Sequence, residues 1–143
     1  YLTEAETGDG VGTATAALRR CGPELACRFA NIYDAGAKTE LQLAAPAYDC
    51  KDSYTFAAPA RTFEANPFGL YDILGNVWEW VQDDYEPYSA KPAASFHQKK
   101  GRTKVFRGGS WNYAPRSCRA AYRLDNVPSS RLSFVGFRLA LEP

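Results

Sequence analysis

Four cysteines, one histidine and 16 carboxylates are the residues of this chain with the most reactive side chains. The cysteines stand at 21, 27, 50 and 118, and His97 is the only histidine. No C-x-x-C pair occurs, so the donor pattern of a structural zinc site is missing. An even cysteine count in a loop-rich chain suits disulfides and an oxidising compartment, which places the protein as secreted or periplasmic. Four cysteines allow three connectivities, and the residue types alone leave all three open. His97 sits in a polar stretch and reads as an exposed histidine.

The charges divide along the chain. Residues 1–86 carry 14 acids and 6 bases, whereas residues 87–141 carry 11 bases and one acid, Asp125. Only Lys99, Lys100, Arg102 and Lys104 cluster. The arginines at 107, 116, 119, 123, 131 and 138 lie among aromatic and small residues, where bidentate pairing with acidic segments of the same fold is the ordinary use of arginine. The division therefore predicts two interleaved halves and no nucleic-acid partner.

Length and composition bound the rest. At 143 residues, 45% hydrophobic, 14% aromatic and 23% charged, the chain suits one compact domain. No apolar run approaches the ~20 residues of a membrane span. The chain starts at Tyr1 and contains no methionine, which points to upstream chain that is trimmed or missing. Residues 1–20 read as irregular. Residues 21–66 read as loop with one short helix, and Asn66-Pro67-Phe68-Gly69-Leu70 as a turn. Tyr71 to Leu74 suggests a helical turn. Val77 to Val81 alternates and predicts a strand. Lys104 to Arg107 predicts a second strand, stopped by Gly108-Gly109 and resumed over Ser110 to Tyr113. Phe134 to Leu141 predicts a last strand, interrupted at Gly136, and residues 83–101 a long surface loop. The sum is an irregular α+β domain with short antiparallel strands and little regular secondary structure.

Four segments carry a specific resemblance. They are Asn66-Pro-Phe-Gly-Leu-Tyr-Asp-Ile-Leu-Gly-Asn-Val-Trp-Glu-Trp80, Phe106-Arg-Gly-Gly-Ser-Trp111, Cys118-Arg-Ala-Ala-Tyr-Arg123 and Val135-Gly-Phe-Arg-Leu139. In this order they closely resemble the formylglycine-generating enzyme, or sulfatase-modifying factor, family over roughly residues 27–141. Tyr1 to Glu6 matches a further family motif in abbreviated form. The resemblance implies a loop-rich fold of C-type-lectin type that binds one or two calcium ions. Its first calcium set falls on Asn31, the Ile32 carbonyl, Asp52 and the Tyr54 carbonyl. Its second falls on Asp72, the Gly75 and Val77 carbonyls, and Glu79. These are the hard oxygen donors that calcium takes. Asp72 departs from the amide of the enzymes but keeps an oxygen. The alternative is that Asp52 and Glu79 pair with arginines. If Asn31 and Asp52 share an ion, the same resemblance brings Cys27 near Cys50 and makes them the preferred disulfide, leaving Cys21 and Cys118 free or joined.

The aerobic enzymes of this family bind copper(I) through two cysteines five residues apart. Counted from Arg107-Gly-Gly-Ser110, those positions are Tyr113 and Cys118. One thiolate cannot form the two-sulfur site, so the resemblance implies no copper and no formylglycine generation here. The sulfoxide synthases of the family need a histidine triad, which this chain does not supply. Around the altered site stand Trp111, Asn112, Tyr113, Ser117, Tyr122, Leu124, Asp125 and Asn126. Aromatics among small polar groups suit binding a protein or small molecule. Trp111 alone reads better as core. The resulting expectation is a calcium-stabilised binding or accessory domain, associated with an upstream domain or another subunit. Two alternatives accompany it. One is a divergent oxygenase or sulfoxide-synthase-type domain completed by missing chain. The other is a retroelement variable protein, since Tyr113, Tyr122, Leu124, Asp125 and neighbouring positions can arise from adenine-mutated asparagine codons.

Overall fold

The computed structural model describes residues 26–87 and 103–139. Readings for residues 1–20, Cys21, His97 and the Lys99–Arg102 cluster lie outside those residues. Among these residues two short helices come first, α1 (Ala26–Phe29) and α2 (Ala35–Leu41). Asp34 starts α2: its side chain accepts from the Ala37 N–H at 2.7 Å, satisfying a donor that the first turn leaves open. Gln42 ends it in the left-handed conformation, its N–H returning to the Lys38 carbonyl. The expected single helix of this region is thus two.

Four strands form one sheet in the order β3-β2-β1-β4. They are β1 (Trp78–Asp84), β2 (Lys104–Arg107), β3 (Leu124–Asn126) and β4 (Val135–Gly136). β1 pairs antiparallel with β2, with Glu79 opposite Arg107 and Trp80 opposite Phe106. β2 pairs antiparallel with β3. The β1–β4 pair is parallel, so the sheet is mixed and not wholly antiparallel. The acidic half of the chain contributes β1 and the basic half contributes both of its neighbours. The two halves therefore interleave within one sheet.

Several boundaries differ from expectation for local reasons. β1 runs on to Asp84, shortening the expected loop, because Lys104 reaches the Asp84 carboxylate at 2.6 Å and pairs with it in register. No helical turn forms over Tyr71 to Leu74, since Asp72 is left-handed (φ 54°). No strand resumes over Ser110 to Tyr113. Gly108 and Gly109 have φ of 96° and 86°, and the Trp111 N–H turns away to the Asn76 carbonyl at 2.9 Å. The last strand is only Val135–Gly136, after which Arg138 leaves the sheet for Glu79. Asn66 makes the expected turn, its side-chain oxygen accepting from the Phe68 and Leu70 N–H groups.

The interior has two parts. Ala26, Ala30, Ile32, Ile73, Leu74 and Cys118 pack together beneath α1. Trp78, fully buried, carries the other part, with the rings of Tyr113 at 5.2 Å edge-on, Tyr122 at 5.9 Å and the chain at Phe134 beside it.

Candidate functional site

The residues assigned to the first cation set come together where two segments lie side by side. Residues 27–35 and 48–54 are joined by a Cys27–Cys50 disulfide with a Cα–Cα distance of 6.0 Å. Around it the Tyr48 N–H donates to the Tyr33 carbonyl, and the Ala35 N–H to the Cys50 carbonyl. Asp52 is aimed from both sides. Its oxygens accept from the Ile32 and Tyr54 N–H groups, each at 2.8 Å. Asp34, behind it, accepts the Asp52 N–H at 2.7 Å. Carboxylate oxygens of Asp34 and Asp52 and the Cys27 sulfur all lie within 4.8 Å of one another. The sulfur is spent in the disulfide, which leaves two buried carboxylates with no basic side chain paired to either among the described residues.

Buried like charges of this kind are costly unless a cation offsets them. Burial, with the Asp34 charge as a smaller contribution, raises Asp52 to about 6, against the lowering effect of its two backbone donors. A second sign lies next door. Asn31 is fully buried, and its amide nitrogen donates to the Phe56 carbonyl and the Asn76 side chain. Its Oδ1 has no donor. A buried acceptor without a donor on Asn31, next in sequence to the Ile32 that meets Asp52, together with two carboxylates lacking a basic partner among the described residues, suits an oxygen-seeking cation such as calcium. Asn31, Ile32, Asp52 and Tyr54 would hold it, with Asp34 adding charge from behind.

The Asp52 position has a consequence for pH. Its folded pKa lies above the ordinary carboxylate value, so the stability it contributes is full below about 4 and lost as pH rises through about 6. The calcium-free domain should therefore melt several degrees higher at pH 5 than at pH 7.5. Calcium affinity should move the opposite way, falling as pH drops below 6. Melting curves with and without chelator at the two pH values check both signs.

The second set is arranged differently. Asp72, Val77 and Glu79 line a cavity of about 370 Å³ with Arg61, Tyr71 and Arg138, and Gly75 lies buried beside them. Both Glu79 oxygens are taken by Arg138. Its Nε donates to Oε2 at 2.7 Å and its Nη2 to Oε1. The same guanidinium donates to the Tyr71 and Asp72 carbonyls. Burial raises Glu79 above the ordinary range, and Arg138 opposes that rise. Asp72 Oδ2 accepts from the Arg61 N–H, while Oδ1 is buried without a donor. The counter-charge of Glu79 here is thus an arginine.

Residues 20–143 match the sulfatase-modifying factor enzyme 1-like domain. The chain belongs to that family. Among its relatives, the formylglycine-generating enzyme of Thermomonospora curvata is 35% identical over 108 residues, covering 68% of this chain and 36% of that protein. The serine/threonine-protein kinase pkn1 of Chlamydia pneumoniae is 33% identical over 144 residues, covering 96% of this chain and 20% of that one. The structure of PvdO from Pseudomonas aeruginosa superposes with a TM-score of 0.67 at 27% identity, over 95% of this chain and 49% of PvdO. The chain thus spans about a fifth to a third of the length of these two curated relatives. The fold is the loop-rich α+β arrangement of the sulfatase-modifying factor type.

At the two positions where this family's resemblance places copper thiolates, the side chains do other work. Cys118 is 2% exposed and has no sulfur partner among the described residues. It lies beneath Gly109, where even a Cβ would come within 2.5 Å of the sulfur. Burial pushes its thiol up to about 12, so it is protonated at neutral pH. Tyr113 stacks edge-on against Trp78 and meets the Phe134 ring at 5.7 Å. These residues do not fit a two-sulfur copper site.

Of the other residues around that position, Trp111 and Ser117 are buried, and Trp111 meets the Phe56 ring at 5.2 Å. Tyr122, Leu124 and Asn126 are half-buried and Asp125 is exposed. Asn112 accepts from the Ser110 hydroxyl. The partly exposed group is therefore Tyr113, Tyr122 and the edge strand β3. Two residues that position the sites escaped the sequence reading. Asp34 was announced only by its place before an alanine-rich helix start. Asn76, which clamps both backbone groups of Ala58 and the Asn31 amide, is the asparagine of Gly75-Asn76. Arg138 on Glu79 is the arginine pairing that the sequence left as the alternative for that carboxylate.

Proposed function

We propose that this domain is a calcium-stabilised ligand- or partner-binding member of the sulfatase-modifying factor family that does not generate formylglycine. The observation that supports this most is the sealed, protonated Cys118, which has no second thiol facing it among the described residues, with Tyr113 packed on Trp78 in the other position. A surface that keeps half-buried tyrosines beside an edge strand suits recognition of a protein or small molecule through Tyr113, Tyr122, Leu124, Asp125 and Asn126. Incubation with a cysteine-containing sulfatase-type peptide, copper and oxygen should give no aldehyde by mass spectrometry. Turnover would overturn the reading.

One calcium ion, held by Asn31, Ile32, Asp52 and Tyr54, is the cofactor we infer. The purified domain should contain about one calcium per chain, and chelation should lower its melting temperature by several degrees. A site filled at a hundred times its Kd adds about 2.7 kcal/mol of stability. Unchanged melting with no bound metal rules the site out. The Cys27–Cys50 disulfide supports an oxidising compartment, and we assign the domain to the secreted or periplasmic space. Among the described residues no helix is long and apolar enough to cross a membrane.

A further inference from the structure

The disulfide and the first cation set belong to the same two segments. One segment carries Cys27, Asn31 and Ile32; the other carries Cys50, Asp52 and Tyr54. We propose that the Cys27–Cys50 bond is a redox latch on calcium binding, holding two halves of one ligand set that reduction releases from each other. This rests on the calcium reading above.

Without the bond, the segments are joined near the site by a few N–H donors, one ending on the Asp52 carboxylate and one on that of Asp34. Opposing them are two buried carboxylates, Asp34 and Asp52, which repel unless a cation lies nearby. The covalent bridge keeps the ligands at high effective concentration, so calcium need not supply the ordering of the loop. Reduction also leaves a Cys27 thiol where the disulfide sulfur stood, within 4.8 Å of both carboxylates. Linkage makes the effect reciprocal: an ion that binds the oxidised form more tightly must make the bond harder to reduce by the same factor. The balancing couple is a thiol such as glutathione. Two glutathione molecules join as their disulfide, and two electrons and two protons pass to the Cys27 and Cys50 sulfurs.

The test uses the full chain equilibrated in glutathione buffers of graded ratio, with and without calcium. Alkylation and mass spectrometry read the fraction of Cys27 and Cys50 reduced. Calorimetry measures calcium affinity in both redox forms, and circular dichroism is recorded on the same samples. Reduction should weaken calcium binding at least tenfold with the spectrum unchanged. Saturating calcium should then shift the redox midpoint by about 30 mV toward more reducing potentials for each factor of ten. Calcium bound equally by both forms, with an unshifted midpoint, overturns the latch and leaves the calcium reading standing. No calcium bound by the oxidised form overturns both. An affinity lost only in step with the native spectrum also overturns the latch, because the bond would then act through global stability.

Discussion

Replacing Gly75 by alanine should leave little folded protein at 37 °C, whereas the same change at Gly69 should cost about 1 kcal/mol. Both glycines have φ above 70°, so both substitutions carry the same backbone strain. What separates them is space. A Cβ at Gly69 meets nothing within 4 Å, but one at Gly75 falls 2.1 Å from the Asn31 carbonyl oxygen. That oxygen cannot retreat cheaply. It accepts the Asn76 N–H at 2.6 Å, and the Gly75 N–H is itself held by the Gly108 carbonyl. Moving Asn31 also moves the amide that supplies the buried, donorless oxygen of the first cation set. An overlap with fixed backbone belongs to the severe tail of mutational effects, above about 4 kcal/mol, against a total stability of about 5–15 kcal/mol. Urea denaturation of the two variants side by side measures the difference. Equal and small losses would mean that the 73–76 turn is not clamped to Asn31.

The asymmetry between those two glycines shows what a linear sequence can carry. Turn chemistry at Asn66-Pro67 and the stop at Gly108-Gly109 were readable because the residues that make them are adjacent. The alternation of Val77 to Val81 located β1, although its burial runs through both Trp78 and Glu79. β3 was not read, because three residues give no period and its pairing is set by β2. β4 shrank to two residues because Gly136 packs against Val77 and Arg138 is drawn away to an acid 59 positions earlier. The family resemblance brought Asn31, Ile32, Asp52 and Tyr54 into one prediction, and the structure places them on two stitched segments. Asp34 stayed hidden because helix capping explains an aspartate there completely. Its second role, accepting the Asp52 N–H, exists only after residues 34 and 52 have met.

Arg138→Met should destabilise the domain by about 3 kcal/mol at pH 7.5, and the loss should shrink as pH falls. Glu79 is 9% exposed at its side chain and Arg138 27%, so the pair is partly desolvated and the carboxylate more so. Removing one partner of such a pair strands the other charge, which commonly costs about 3–5 kcal/mol, and the exposed edge of Arg138 favours the lower figure. The variant also strips two donors from the Tyr71 and Asp72 carbonyls. The sign with pH follows from Glu79, whose pKa burial already raises with Arg138 in place. Without the guanidinium it rises further, the native state binds its proton earlier than the unfolded chain, and stability returns as pH drops below that value. Adding Glu79→Gln should recover much of the loss at neutral pH, because the stranded charge is gone. Calcium provides the decisive comparison. Arg138→Met opens an acid pair, Asp72 and Glu79, in which Asp72 Oδ1 is already buried without a donor. If Arg138 serves as the resident cation there, the variant should bind one more calcium than the wild type and regain stability on titration. A wild-type domain that already holds two ions, with a variant no weaker, would assign the Glu79 carboxylate to calcium and reduce Arg138 to a bystander.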